Sequence, residues 1–277
     1  MLEVAPPVAP PPLEQSLYEV FVDAAQTRLS WVVARVENRL LFRWVDQADF
    51  WLDGRRVTIT PVPGADMAAV EQGAVDLVLP RVLHRLGRPC LHAAAVRLPG
   101  REQAAIFLAP SGSGKSTLAA SVAQRGGALL ADDAVAPWRR DDGVVVVPPA
   151  YPSLRLWADS AKALYGEASR FPIAPRRQKR RVTRDLAEAA PLAAMFFLEP
   201  DRSCRTAPPR CARLPASESL ARLVEYVLRL THDDPSSQAA EFDILAAAAA
   251  QAPMFRLRFP HRFAALDEVM AAVEAVL

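Results

Sequence analysis

The chain has 277 residues, 51% of them hydrophobic, and a formal net charge of +2. That is enough apolar surface for a sizeable core in one or two domains, and it excludes a wholly disordered chain. The near-neutral balance argues against a general electrostatic hold on nucleic acid, and three cysteines without paired short spacing (Cys90, Cys204, Cys211) argue against a disulfide framework or a zinc site.

The opening stretch MLEVAPPVAPPP has neither the charged lead nor the apolar core of a signal peptide. No apolar run is long enough to span a bilayer. The expected location is therefore the cytoplasm. Residues 1–13 read as a disordered, Pro-rich tail, residues 14–88 as a small N-terminal α+β segment, and residues 89–277 as the main core.

Leu29 to Val62 is strand-like, with Asp53-Gly54 as a hairpin signal between Phe50-Trp51-Leu52 and Val57-Thr58-Ile59. Asp66 is placed to cap a helix running to about Leu86, with Val70, Ala74, Leu77, Val78 and Val82 on one face, Gly87 as stop and Pro89 beyond it. Cys90 to Leu98 and Ala104 to Leu108 read as strands around a Pro99-Gly100 turn. A helix from Lys115 to about Arg125 ends at Gly126-Gly127, and a short strand, Ala128 to Ala131, leads into Asp132-Asp133. Val135–Trp138 and Val144–Val147 suggest a hairpin. Tyr151 to Trp157 reads as a core strand with an edge, where Arg155 is better explained by packing than by a ligand. Residues 166–191 carry Gly, Pro and basic residues and read as a mobile loop. Ala193–Leu198 is a strand and 200–216 a polar loop. Helices are expected at about 217–230 and 235–250, the second capped by Asp234 with Pro235 in its first turn. Met254–Phe259 is a strand and Phe263–Val276 a final helix. The alternation after residue 90 points to an α/β core, with several strands joined too tightly to be parallel.

Between a strand and a helix stands Ala109-Pro110-Ser111-Gly112-Ser113-Gly114-Lys115-Ser116. That is the context of a P-loop, with Ala109 in place of the usual first glycine. Gly112 and Gly114 permit the backbone turns that aim successive N–H groups inward, and the helix N-terminus adds partial positive charge. Ser111, Gly112, Ser113, Gly114, Lys115, Ser116 and Thr117 are thus the candidate binders of ATP phosphates, with Lys115 on the β- and γ-phosphates and Ser116 on Mg²⁺.

Asp132 and Asp133 follow Ser116 by sixteen and seventeen residues. If their strand lies beside the one feeding the loop, both carboxylates reach the γ-phosphate and its metal. Transfer to an alcohol needs a proton acceptor and anionic support for Mg²⁺, and two adjacent carboxylates can divide that work. A turn residue beside a solvated charge is the blander account. His92, on the strand before the loop, fits either an active-site imidazole or a hydrogen-bonded core histidine. The run RRQKRRVTR over 176–184 is usual for a solvated segment, but Lys179 and Arg180 are candidates to meet the triphosphate or an acidic peptide. Without interleaved aromatics, nucleic acid is an unlikely partner for this run.

Three stretches, LHAAAV, FLAPSGSGKSTLAASVAQRGGALLADDAVA and YPSLRLWADS, together resemble the HPr kinase/phosphorylase superfamily, and more closely its short members encoded with ribosomally made peptides, including lasso-peptide serine kinases. The resemblance is strong over about residues 90–157 and weaker over 41–89 and 191–277. It implies an α/β fold with a P-loop core and mixed sheet akin to phosphoenolpyruvate carboxykinase. It implies Asp132 as general base, His92 as an active-site residue, and Asp133 with Ser116 at the metal. Thr117 stands where authentic HPr kinases carry glutamate, and their downstream glutamate signature is missing. The implied acceptor is accordingly a serine of another peptide or protein, and the resemblance admits a homo-oligomer. The readings held beside this serine kinase are a nucleotide-sensing module that does not transfer phosphate, and a small-molecule kinase.

Overall fold

A computed structural model of the chain describes residues 1–13, 16–21, 29–37, 39–168, 170–173, 179–185, 187–203, 206–228 and 235–277. The chain divides into two compact units, Met1–Val82 and Leu83–Leu277.

The first unit is built on β1 (Leu2–Val4), β2 (Tyr18–Phe21), β3 (Leu29–Val36), β4 (Arg39–Trp44), β5 (Ala48–Asp53) and β6 (Arg56–Pro61), in the sheet order β1-β6-β5-β4-β3-β2. The β5–β6 hairpin turns at Gly54, where φ is 53°, as the Asp-Gly signal predicts. Residues 1–13 depart from the expected disorder over part of their length. Leu2–Val4 pair in parallel with Val57–Ile59, and the N–H groups of Ala5 and Val8 donate to Ile59 and Pro61. The reason is the open edge of β6, whose main-chain groups need partners that an extended segment can supply. On the sheet, Arg43 makes two 2.7 Å hydrogen bonds to the buried Asp49 directly across from it. Trp31 stacks on Trp44 at 5.0 Å.

Asp66 caps α1 (Met67–Gly73), its carboxylate accepting from Ala68 and Ala69. The helical run continues through a π-turn, Ala74–Val78, into α2 (Leu79–Arg85). The wider turn comes just before Pro80, which has no N–H to give to the helix ladder. Val70, Ala74, Val78 and Val82 are buried and Leu77 is half-buried, close to the predicted apolar face.

The second unit contains β7 (Ala93–Arg97), β8 (Ala104–Leu108), α3 (Lys115–Gln124), β9 (Ala128–Asp132), β10 (Trp138–Arg139), β11 (Val145–Val147), β12 (Ser153–Leu156), α4 (Ala158–Tyr165), β13 (Arg180–Thr183), β14 (Ala190–Asp201), β15 (Arg210–Arg213), α5 (Ala216–Glu225), α6 (Pro235–Gln251), β16 (Met254–Pro260) and α7 (Leu266–Glu274). Its central sheet runs β15-β16-β14-β8-β7-β9. β16, β14 and β8 are mutually parallel, whereas β7 is antiparallel to both β8 and β9. β8 is apolar throughout because both of its faces are covered. Ala105 and Phe107 join the cluster with Leu118 of α3 and Val269 and Val273 of α7, and Ala104, Ile106 and Leu108 join Leu223 of α5 and Leu245 of α6 on the other side. The fold is thus α/β with a mixed sheet.

Three expectations are corrected. β9 does not lie beside β8, because β7 is inserted between them. The basic stretch predicted as loop forms β13, pairing Arg180–Thr183 with β12, because Val182 enters the same apolar cluster as Leu154 and Leu156. The loop predicted over 200–216 contains β15, which covers the edge of β16. The cap proposed at Asp234 lies outside the described residues, as do Arg176, Arg177 and Gln178 of the basic run.

α3 ends as the Gly-Gly pair predicts. Gly126 takes φ 86°, and the N–H of Gly127 donates to Val122 O at 3.0 Å. At Gly127 the limit is space. A Cβ there would stand 2.4 Å from Val122 Cγ1 and 2.6 Å from the Arg97 carbonyl oxygen. Gly127→Ala is expected to destabilise the fold by about 1–3 kcal/mol, through the shift forced between α3 and β7. Denaturant unfolding checks this.

Candidate active site

β8 runs out at Leu108 and the chain turns through residues 109–114 into α3. Gly112 has φ 81° and Gly114 φ 95°, and Gly114 is the residue before the helix. Nothing stands within 4 Å of a Cβ built at either position. Backbone conformation, rather than crowding, selects glycine there. Such a turn ahead of a helix N-terminus favours an oxyanion.

Lys115 opens α3, yet its side chain is buried. Its ammonium donates to the carbonyl oxygens of Ala109 (2.6 Å) and Pro110 (3.1 Å) and stands 3.1 Å from His92 Nε2. Across the imidazole ring, His92 Nδ1 lies 3.3 Å from the Asp133 carbonyl oxygen. An ammonium can only donate and a carbonyl can only accept, so the ring is neutral, with its proton on Nδ1 and its lone pair on Nε2 facing the lysine. Burial and then the charge of Lys115 lower the His92 pKa. Burial also brings Lys115 down to about 8, against the charges of Asp133 and Asp132.

Because β7 is antiparallel to both its neighbours, β8 and β9 point the same way and end on the same edge of the sheet. The acidic pair therefore meets α3 although a strand intervenes. Ser116 Oγ donates to Asp132 Oδ1 at 2.8 Å, and the Arg155 main-chain N–H donates to Asp132 Oδ2 at 3.1 Å. The Arg155 guanidinium binds the Asp133 carboxylate at 2.5 Å. Asp133 has φ 64°, uncommon for a non-glycine residue, and this bend turns consecutive carboxylates to different partners.

The two carboxyls are driven apart electrically. Burial, followed by the charge of Asp133, raises Asp132 to about 7. Burial pushes Asp133 up as well, but Arg155 and Lys179 outweigh it and hold Asp133 below its ordinary value. One member of the pair is thus firmly ionised and the other can take up or release a proton near neutral pH.

A cleft of about 480 Å³ opens over the first turn of α3, within the range of small-ligand sites. Ser111, Gly112, Gly114, Lys115, Ser116, Thr117, Asp133 and Lys179 all border it, whereas Asp132 lies behind Ser116. Thr117 Oγ1 donates to Ser160 Oγ at 3.2 Å, tying α3 to the start of α4. Three expectations fit less well. Ser113 faces a different hollow, with Pro110, Glu199 and Tyr226. Arg180 is directed away, donating to the Phe171 carbonyl oxygen at 3.3 Å. Of the two residues expected at the metal, Ser116 bonds to Asp132 and Asp133 to Arg155.

Arg155 is the residue that sequence reasoning undervalued. It is buried between Leu154 and Leu156 on β12 and touches both aspartates. A lone arginine alternating with leucines in a buried strand was the available signal, since a buried guanidinium demands a carboxylate.

Among the described residues, no group of three or more His, Cys, Asp or Glu is arranged to hold a metal ion. No helix among them is long and apolar enough to cross a membrane. No protein-family model matches the chain and no curated protein matches it. Among solved structures, the Hpr(Ser) kinase/phosphatase from Coxiella burnetii is similar, at 11% identity and a TM-score of 0.35, over 68% of this chain and 95% of that one. What the site can do is set by its own residues.

Proposed function

We propose that this protein is an ATP-dependent kinase that transfers the γ-phosphoryl group of Mg-ATP to a serine hydroxyl of a peptide or protein. The observation that carries the reading is the joining of the glycine turn to the acidic pair by the 2.8 Å bond from Ser116 to Asp132. What supports the reading is that an oxyanion-favouring turn and a buried ammonium border one cleft, with the carboxyl raised to about 7 joined to it through Ser116.

Ser111, Gly112, Gly114, Ser116 and Thr117 hold the phosphates through main-chain N–H groups and hydroxyls. Lys115 neutralises the charge developing on the transferred group, a phosphate oxygen replacing one of its carbonyl acceptors. Lys179 adds a second cation at the same cleft. Asp132 accepts the proton of the serine hydroxyl. Arg155 keeps Asp133 ionised, and the negative Asp133 in turn raises Asp132. His92, neutral, fixes the direction of Lys115.

The donor atoms near the turn fit Mg²⁺. Ser116 Oγ and the carboxylates are hard oxygen ligands, the kind taken by an ion that uses one or two protein ligands and draws the rest from phosphate and water. Mg²⁺ held there would supply charge neutralisation for the phosphates.

The test is transfer of labelled γ-phosphate from Mg-ATP to serine-containing peptides, followed by mass spectrometry. Asp132 must be ionised to act and Lys115 protonated. The rate constant kcat/KM is therefore expected to rise with pH through about 7 and to fall above about 8. Nucleotide binding without any phosphorylated product would overturn the kinase reading and leave a nucleotide-sensing module.

A further inference from the structure

We infer that the cleft carries a stacking site for the nucleotide base, formed by Trp157 and Phe263, so that the donor is recognised as a nucleoside triphosphate and not by its phosphates alone. The inference rests on the phosphate-binding reading of the glycine turn.

Among the described residues of the second unit, four large aromatic side chains stand exposed: Tyr151 (39%), Trp157 (44%), Phe242 (47%) and Phe263 (40%). Two of them, Trp157 and Phe263, border the same cleft as Gly114, Lys115 and Ser116. They come from separate elements, one just ahead of α4 and the other between β16 and α7. Exposed rings are unremarkable when scattered, but two on one cleft with a phosphate-type turn offer a sequence-tolerant platform for a flat aromatic base.

Trp157 is also unexplained by local structure. It occupies the N-cap position of α4 with φ −60° and ψ 155° and makes no side-chain capping bond. Ser, Thr, Asp or Asn normally serves there, so the ring gives the helix nothing. What it does meet is the Lys179 ammonium, 5.7 Å from its centroid. Lys179 is buried and borders the cleft as Asp133 does. Through Lys179, the ring is connected to the charged side chains of the cleft. The buried Phe259 and half-buried Leu266, which border the same cleft, offer the base apolar surface.

Calorimetric titration of the full chain with Mg-ATP and, separately, with magnesium tripolyphosphate tests this. The unmodified chain is expected to bind ATP at least ~10-fold more tightly than tripolyphosphate. Trp157→Ala and Phe263→Ala are each expected to weaken ATP by about 10-fold with tripolyphosphate unchanged, and Trp157→Phe to restore most of the loss. Both rings are exposed, so neither replacement opens the core. Equal affinity for the two ligands, or wild-type ATP affinity in both alanine variants, would overturn the base site while leaving the phosphate site standing. Failure of the unmodified chain to bind either ligand would remove the phosphate reading and the base site with it.

Discussion

Asp132→Asn is expected to lower kcat for phosphoryl transfer by about 10²- to 10⁴-fold, the range general bases contribute, while nucleotide affinity changes only a few-fold. The substitution keeps the shape of the side chain. Its amide oxygen can still accept from the Arg155 N–H, and the Ser116 hydroxyl can turn to accept from the new amide group, so both contacts to Asp132 keep partners. What is lost is the proton acceptor and one negative charge. The pH–rate profile is the sharper readout. The ascending limb near 7 is expected to vanish from whatever activity remains, because that limb belongs to the carboxyl raised by burial. A rate undiminished in the variant would take Asp132 out of the base role. A fall of more than tenfold in Mg-dependent nucleotide affinity would instead assign it to the metal.

Lys115→Met should cost about 10²- to 10³-fold in kcat/KM, the scale on which a single charge stabiliser of a transition state acts. Methionine preserves the unbranched buried stem while removing the ammonium. The same variant has an effect that needs no substrate. The charge of Lys115 is the second cause, after burial, of the low His92 pKa. Removing it is expected to move the His92 titration upward, which imidazole NMR signals would follow. If the variant loses activity but His92 titrates as before, the 3.1 Å contact between the two side chains is not what sets the imidazole's charge.

The stretch from Ala104 to Asp132 was legible because every signal in it is local. A short apolar strand, glycines needing positive φ, a Lys-Ser helix start and a Gly-Gly stop each act over a few residues, and the observed β8, α3 and β9 follow them closely. Strand order was not legible. Whether β7 lies outside β8 or between β8 and β9 depends on pairing across distant segments, and Ala93–Val96 is apolar enough for either place. β13 was hidden by composition, since three of its four residues are polar or charged and only Val182 faces the core. β1 and β15 were missed for a related reason: edge strands are short and need only spare main-chain groups opposite them. At the site, the residue types and their spacing could be read, but the division of labour could not. That Asp133 turns to Arg155 and Asp132 to Ser116 depends on one left-handed backbone angle and on a strand more than twenty residues further along.

The insertion of β7 between β8 and β9 also bears on how the molecule assembles. His92, Lys115, Asp132 and Arg155 belong to four segments that become neighbours only after β9 has docked against a strand preceding the turn. A partly folded chain carrying the glycine turn alone lacks the imidazole and the carboxylates. Ligand capture would then be a property of the completed sheet, and saturating nucleotide would oppose its melting by mass action, by about 2.7 kcal/mol at a hundredfold excess over Kd.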